Sequence, residues 1–155
     1  MIGAKILLVD DETVFTTNMS KLLNSRGYHA TAVNNGNSAV EALENENFDV
    51  IVLDLKMPGM DGIATLKEIQ KLGLFTETLI LTGHGSIDTA LDALKLGAYD
   101  YLTKPCEIDE LITKIEGAWG KKDDAEKKDI QEKIHKVVES PRSAFDLFKK
   151  NKPRK

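Results

Sequence analysis

Five short apolar runs alternate with five amphipathic stretches along this chain. That alternation restricts the fold more than any other feature. The runs lie near residues 4–9, 28–33, 49–54, 78–82 and 98–102. The amphipathic stretches lie near 13–25, 36–46, 62–72, 86–96 and 107–119. The first, third and fourth runs are nearly continuous Ile, Leu and Val, as expected of strands covered on both faces. The second, Tyr28-His29-Ala30-Thr31-Ala32-Val33, alternates in polarity and suits a sheet edge. Regular strand–helix alternation predicts a parallel sheet with right-handed crossovers. Phe15, Met19, Leu22 and Leu23 share one helical face, and Ile63, Leu66, Ile69 and Leu72 another. Gly27, Gly73 and Gly97 sit just past helix ends, where a left-handed residue commonly stops the helix. Ser86 and Asp88 supply acceptors and negative charge at the start of the fourth helix.

The strand ends carry the chemistry. Lys5-Ile6-Leu7-Leu8-Val9 runs into Asp10-Asp11, and Val50-Ile51-Val52-Leu53 runs into Asp54. Thr82 ends the fourth run, and Lys104-Pro105 follows the fifth. In an open parallel sheet, ligands bind in the crevice beyond the carboxyl ends of the strands. Three acids, a hydroxyl and an ammonium gathered there suit a hard cation and a phosphoryl group. Asp10, Asp11 and Asp54 carry −3 together, which needs compensation at close range. A divalent cation and Lys104 would balance it. Phosphorylating Asp54 would leave a residual −1, which the Thr82 hydroxyl and backbone N–H groups can bind. Mg²⁺ favours few carboxylates, several waters and a phosphate oxygen. Asp54 is then the nucleophile of a phosphoryl transfer driven by positioning and electrostatics. The turn Met57-Pro58-Gly59-Met60-Asp61-Gly62 is expected to keep Asp54 accessible.

The motifs Val9-Asp10-Asp11-Glu12, Leu53-Asp54-Leu55-Lys56-Met57-Pro58-Gly59-Met60-Asp61-Gly62, Leu81-Thr82-Gly83-His84 and Leu102-Thr103-Lys104-Pro105 closely resemble those of bacterial two-component response regulator receiver domains. The resemblance covers about residues 4–119, with four motifs in order and at receiver spacing. It implies a flavodoxin-like (βα)5 doubly wound sheet of strand order 2-1-3-4-5, here with a C-terminal helical tail. It implies Asp54 as phosphoacceptor, with Mg²⁺ bound by the Asp11 and Asp54 carboxylates and the Lys56 backbone carbonyl. Asp10 would support the ion through water. Lys104 would pair with Asp54 and then with the phosphoryl oxygens. Thr82 would bond a phosphoryl oxygen, and Tyr101 would be the aromatic switch residue. The Lys104-Pro105 bond resembles the family's cis peptide, which would aim the lysine into the crevice. Lys56 and His84 flank the path of the attacking water in receivers and tune phosphoryl lifetime. His84 is equally well read as an exposed loop histidine. Gly83 is small and should leave the site open to donor and water. Tyr101 as plain core packing is the blander reading of that residue.

The implied function is phosphorelay signalling, with the phosphoryl group taken from a sensor histidine kinase or a histidine phosphotransfer protein. Such a protein is not a conventional enzyme. It catalyses its own phosphorylation and dephosphorylation, and the modified surface near the fourth helix, fifth strand and fifth helix binds an unidentified downstream protein. The main rival is a Mg²⁺-dependent phosphohydrolase with an aspartyl nucleophile. Such enzymes space nucleophile and acid/base two residues apart on one strand and add a cap domain. Here the acids Asp10-Asp11 are adjacent, and no cap-sized insertion appears. A receiver fragment of a larger regulator is the other alternative to a stand-alone protein. No G-x-G-x-x-G or P-loop occurs. His29, His84 and Cys106 lack zinc spacing. Asp11 and Glu12 read simply as helix-capping residues would leave the coincident Asp54, Thr82 and Lys104 unexplained.

Charge divides the chain. Residues 1–120 hold 9 Lys+Arg against 18 Asp+Glu, and residues 121–155 hold 12 against 7. An acidic body is a poor nonspecific nucleic-acid binder, because phosphate neutralisation needs cations. The division predicts a receiver domain over 1–120 and a charged helical extension over 121–155. Ile130, Ile134, Val137 and Val138 form one helical face there, expected to pack on the receiver, to self-associate as a homodimer or to dock a partner. Ser140-Pro141 reads as a cap and first turn of a further short segment. A helix-turn-helix needs more than this extension provides. One cysteine, Cys106, excludes an internal disulfide and suits a reducing compartment. Cys106 itself reads as a helix-start residue. No run approaches the ~20 apolar residues of a membrane span, and no signal-peptide pattern opens the chain. A cytoplasmic location, without membrane contact, is the expectation.

Overall fold

The computed structural model describes residues 3–57, 61–83 and 87–139. Strands β1 (Lys5–Val9), β2 (His29–Val33), β3 (Val50–Leu53), β4 (Glu77–Thr82) and β5 (Asp100–Thr103) alternate with helices α1 (Thr13–Ser25), α2 (Gly36–Asn45), α3 (Gly62–Lys71), α4 (Ile87–Lys95) and α5 (Ile108–Glu139). All strand pairs are parallel, in the order β2-β1-β3-β4-β5. The polar second run is indeed at an edge, half-exposed along its length.

The period of two along each strand divides the core into two layers. Leu7, Val9, Ile51, Leu53 and Ile80 face α2, α3 and α4, where Leu43, Leu66, Ile69 and Ala93 cover them. Ile6, Leu8, Val50, Val52, Leu79 and Leu81 face α1 and α5, where Met19, Leu23, Leu111 and Ile115 cover them. Fully burying one such Leu or Ile contributes about 1.5–3 kcal/mol. The strands are therefore near-continuous apolar runs because each has two faces to hide.

Local signals set the boundaries. Asn35 caps α2 by accepting from the Ser38 N–H at 2.8 Å, and Asp61 caps α3 by accepting from the Ala64 N–H at 2.8 Å. Gly27, Gly73 and Gly97 have φ of 93°, 64° and 107°, the left-handed conformation expected past these helices. Leu22 departs from expectation: it is exposed, because the buried stripe of α1 follows Phe15, Met19 and Leu23 at i, i+4 spacing.

The fifth helix also differs. It was expected to end near 119, yet α5 runs for 32 residues through Gly117 and Gly120. Gly117 is where Tyr99 crowds the helix: a Cβ would stand 3.1 Å from Tyr99 Cζ. Beyond it, Lys122–Glu126, Asp123–Lys127, Asp129–Lys133 and His135–Glu139 form i, i+4 pairs. Each such pair adds a few tenths of a kcal/mol, which together offset the cost of about 1 kcal/mol for a helical glycine. The extension does not bury its apolar stripe on the receiver: Ile130, Ile134, Val137 and Val138 are exposed. The expected segment from Ser140 onward lies outside the described residues. Among those described, no helix is long and apolar enough to cross a membrane.

Candidate functional site

Register brings the strand ends level. Val9 pairs with Leu53, Leu53 with Ile80, and Thr82 with Thr103. The residues just beyond therefore converge at one edge of the sheet. Backbone bonds hold them there: the Asp54 N–H donates to the Val9 carbonyl at 2.9 Å, and the Lys104 N–H to the Thr82 carbonyl at 2.7 Å. The Asp10 N–H donates to the Val33 carbonyl, and the Asn34 side chain donates to the Asp10 carbonyl at 3.0 Å. The Lys104-Pro105 bond is cis.

The result is a buried acidic pocket. Asp10 and Asp54 are 3% and 5% exposed, and Thr82 is 1% exposed. Carboxylate oxygens of Asp10, Glu12 and Asp54 all lie within 4.8 Å of one another. Lys104 is the cation among them. Its ammonium donates to Asp10 Oδ2 at 2.5 Å and to Glu12 Oε1 at 2.9 Å, and it stands 3.7 Å from Asp54 Oδ2. Three carboxylates against one ammonium leave a formal −2. Burial, and next the Asp10 charge, push the Asp54 carboxyl up to about 6, although the Lys56 N–H and Lys104 pull the other way. Burial lowers the pKa of Lys104, but the bonds to Asp10 and Glu12 outweigh it and hold the ammonium above the usual lysine value.

One buried donor at this pocket is unused. Thr82 Oγ1 has no hydrogen-bond partner among the described residues. A buried hydroxyl left unpaired is costly, by about 1–3 kcal/mol. It marks a place where an incoming oxygen would be bound. The oxygen-only donor set and the uncompensated −2 together fit a hard divalent cation rather than zinc.

The structure thus brings together Asp10, Asp54, Thr82 and Lys104 of the expected set. Lys56 joins through its backbone: its N–H donates to Asp54 Oδ1 at 3.2 Å, while its side chain is exposed. Asp11 is exposed and is not among the three clustered carboxylates. Gly83 is half-buried, and a Cβ there would meet nothing within 4 Å among the described residues. Tyr101 pairs with Ile80, so it emerges on the same sheet face as Thr82, and it is half-buried against the α2–α4 layer. His84 and Pro58-Gly59-Met60 lie outside the described residues. Cys106 is half-buried before α5, and burial raises its thiol pKa, as for a structural cysteine.

Several residues were legible only afterwards. Glu12 reads as a capping residue, yet its side chain makes no capping bond and instead holds Lys104. The signal was present in its spacing: the Glu12 N–H donates to Asp10 Oδ1, a local turn that brings both carboxylates to one side. By sequence Gly62 closes the turn after Asp54. Its actual constraint is a close approach: a Cβ would lie 2.7 Å from the Asp54 carbonyl oxygen. Phe15 packs on the core face of α1 as its spacing predicts, and its ring centroid also lies 4.5 Å from Lys104 Nζ.

Comparison with known proteins agrees with this geometry. A family model described as the response regulator receiver domain matches residues 6–116. The transcriptional regulatory protein ZraR of Escherichia coli (strain K12) is 43% identical over 113 residues, which cover 73% of this chain and 26% of that protein. The DNA-binding transcriptional regulator NtrC of Salmonella typhimurium is 37% identical over 113 residues, covering 73% of this chain and 24% of that one. The chain thus spans about a quarter of the length of these curated relatives. Among solved structures, the Francisella response regulator 1452 receiver domain aligns with a TM-score of 0.70 at 34% identity, over 76% of this chain and 98% of that one. NtrX from Brucella abortus aligns with a TM-score of 0.78 at 31% identity, over 84% of this chain and 30% of that one. With its sheet order, its acidic pocket and the family match over 6–116, this chain belongs to the response regulator receiver-domain family.

Proposed function

We propose that Asp54 is the phosphoacceptor of a phosphorelay and that the chain is a signalling switch rather than a turnover enzyme. The observation that carries this is the buried Asp54 carboxylate, raised to about 6, at the head of the acidic pocket. A carboxylate with raised proton affinity is a better nucleophile than an ordinary one, and above pH 6 it is still mainly ionised. An Asp54 oxygen forms a bond to phosphorus as the P–N bond of a phosphohistidine breaks, and the electron pair returns to the imidazole. A sensor histidine kinase or a histidine phosphotransfer protein would present that donor. Lys104, only 3.7 Å from Asp54, then meets the phosphoryl oxygens, and the Thr82 hydroxyl, unpaired among the described residues, gains a partner. Water attacking the same phosphorus would reverse the switch, and Lys56, Gly83 and His84 are the positions proposed to tune its approach.

Mg²⁺ is the proposed cofactor, and when bound it would neutralise charge on the pocket and on the transferring phosphoryl group. Asp54 and the acids at the end of β1 would hold it. Asp10 is supported by its clustering with Asp54. Asp11 and the Lys56 carbonyl complete the proposed set.

Output would follow Thr82 to Tyr101 and so reach α4, β5 and α5, where exposed Ile87 and Leu91 favour a protein partner. The acidic charge of residues 1–120 argues against direct contact of this unit with nucleic acid. The relatives named for DNA binding share only the matched region with this chain. On this reading the receiver unit spans 1–120, and 121–155 is an extension whose exposed stripe serves self-association or docking.

Acetyl phosphate with Mg²⁺ should add one phosphoryl group by intact mass. Asp54→Asn and EDTA should each abolish it. Unchanged labelling of Asp54→Asn would refute the assignment. Multiple turnover of small phosphate esters would favour the phosphohydrolase class instead.

A further inference from the structure

Lys104 does not rest on Asp54. Its ammonium is held by three groups of the β1–α1 segment: Asp10 at 2.5 Å, Glu12 at 2.9 Å, and the Phe15 ring with its centroid at 4.5 Å. Asp54 Oδ2, at 3.7 Å, is beyond hydrogen-bond distance. An ammonium this near a ring centroid is attracted to the ring's negative face, more strongly when partly withdrawn from water. The Lys104 side chain is 15% exposed, so that condition holds. Phe15 is itself anchored, packing against the buried layer under α1 and α5. Glu12, by contrast, is largely exposed. The ring is thus the fixed wall of the seat and the glutamate its open side.

We infer that Phe15 and Glu12 are positioning residues that seat the Lys104 ammonium on the β1–α1 side of the pocket in the unphosphorylated protein. The inference rests on the phosphoacceptor reading only for its kinetic consequence. To reach a phosphoryl group on Asp54, the ammonium must leave at least part of this seat. The ring contact and the Glu12 bond are therefore resting-state interactions that oppose the modified state. Weakening them should speed phosphorylation and prolong the phosphorylated form. A residue that merely packed the core would slow both or leave both unchanged.

The experiment has two readouts on the 155-residue chain. In the metal-free form, the Lys104 Hε proton shifts are recorded by NMR for wild type, Phe15→Leu, Phe15→Tyr and Glu12→Gln. An ammonium over a ring carries an upfield ring-current shift at the adjacent methylene. Phe15→Leu should lose that shift, and Phe15→Tyr should keep it. Labelling by acetyl phosphate with Mg²⁺ is then timed. Phe15→Leu and Glu12→Gln should each be labelled roughly two- to fivefold faster, the factor that a modest cation–π or surface ion contact supplies. Phe15→Tyr should match wild type. A Lys104 shift unmoved by Phe15→Leu would overturn the seat. So would labelling of Phe15→Leu and Glu12→Gln at the wild-type rate or slower. Failure of wild type to label at all would strike the phosphoacceptor reading instead, and the NMR result would still decide the seat.

Discussion

The two ends of the sheet carry similar charges and treat them in opposite ways. At the amino end, each of three acids sits beside a cation of its own. Asp49 accepts from the Lys5 N–H and from the Lys122 ammonium, both at 2.8 Å. Glu46 pairs with Lys5, and Glu77 Oε1 lies 3.3 Å from the Lys121 ammonium as an ion pair without a hydrogen bond among the described residues. At the carboxyl end, Asp10, Glu12 and Asp54 share Lys104, and the Thr82 hydroxyl has no partner among the described residues. Burial is offset by pairing at the amino end, as with Lys122, whose burial penalty is outweighed by Asp49 and Glu126. At the carboxyl end Asp54 is left with a raised pKa. The amino end is built for stability and pins the start of the α5 extension. The carboxyl end stores an unmet demand for a cation and for an oxygen acceptor, which is what a phosphoryl-binding switch requires.

That contrast can be broken or sharpened by substitution. The largest effect is expected from Gly62→Ala. Its Cβ would press on the Asp54–Leu55 backbone, which cannot yield without moving the acceptor. A loss of about 3 kcal/mol in denaturant unfolding is expected, with slower labelling of Asp54. Wild-type stability would show that the close approach relaxes freely.

Next comes Asp54→Asn, which should stabilise the metal-free protein. A carboxyl raised from 3.8 to about 6 favours folding while protonated, and that contribution is lost as pH rises from about 4 through about 6. At pH 7 the substitution should therefore gain about 1–3 kcal/mol, since one pK unit corresponds to ~1.4 kcal/mol. The gain should fall toward zero below pH 4. Unfolding curves of both proteins across pH 4–8 test the sign. A destabilised variant at pH 7 would mean that Lys104 compensates the site more fully than the distances imply.

Thr82→Val replaces an unpaired buried hydroxyl with a methyl and should raise resting stability by about 1 kcal/mol. It should still be labelled at Asp54, while the chemical-shift changes that reach Tyr101 on phosphorylation should be attenuated. Full propagation in the variant would remove Thr82 from the switch.

The smallest effect is expected at the amino end. Asp49→Asn removes the Lys122 pair, which is partly exposed and screened, so a loss of about 0.5–1 kcal/mol is expected. Hydrogen exchange should rise in α5 beyond Lys122, with labelling of Asp54 unchanged. Altered labelling would show that the two ends are coupled through β3.

Much of this molecule was legible because its signals are local. Strand runs, helix stripes and the glycines at 27, 73 and 97 each depend on a few neighbouring residues, and the structure places them as expected. The ends of α5 and the choice of partners were not legible in the same way. Gly120 is a weak helix-stopping signal, and a row of i, i+4 ion pairs outweighs it. Leu22 fits a broad apolar stripe by spacing alone, and only the position of the sheet decides that the narrower stripe is buried.

The sequence by itself determined the five-stranded parallel architecture and the gathering of Asp10, Asp54, Thr82 and Lys104 at one sheet edge. Period and spacing are properties of the chain, and parallel register makes strand ends meet. Only the tertiary structure decided that Lys104 leans on Asp10, Glu12 and Phe15 rather than Asp54, that Glu12 and not Asp11 joins the clustered carboxylates, and that Gly62 lies against the Asp54 backbone. Those choices join residues as many as 94 positions apart and turn on differences of about 1 Å. Such differences arise from how helices seat on the sheet, and no local pattern records them.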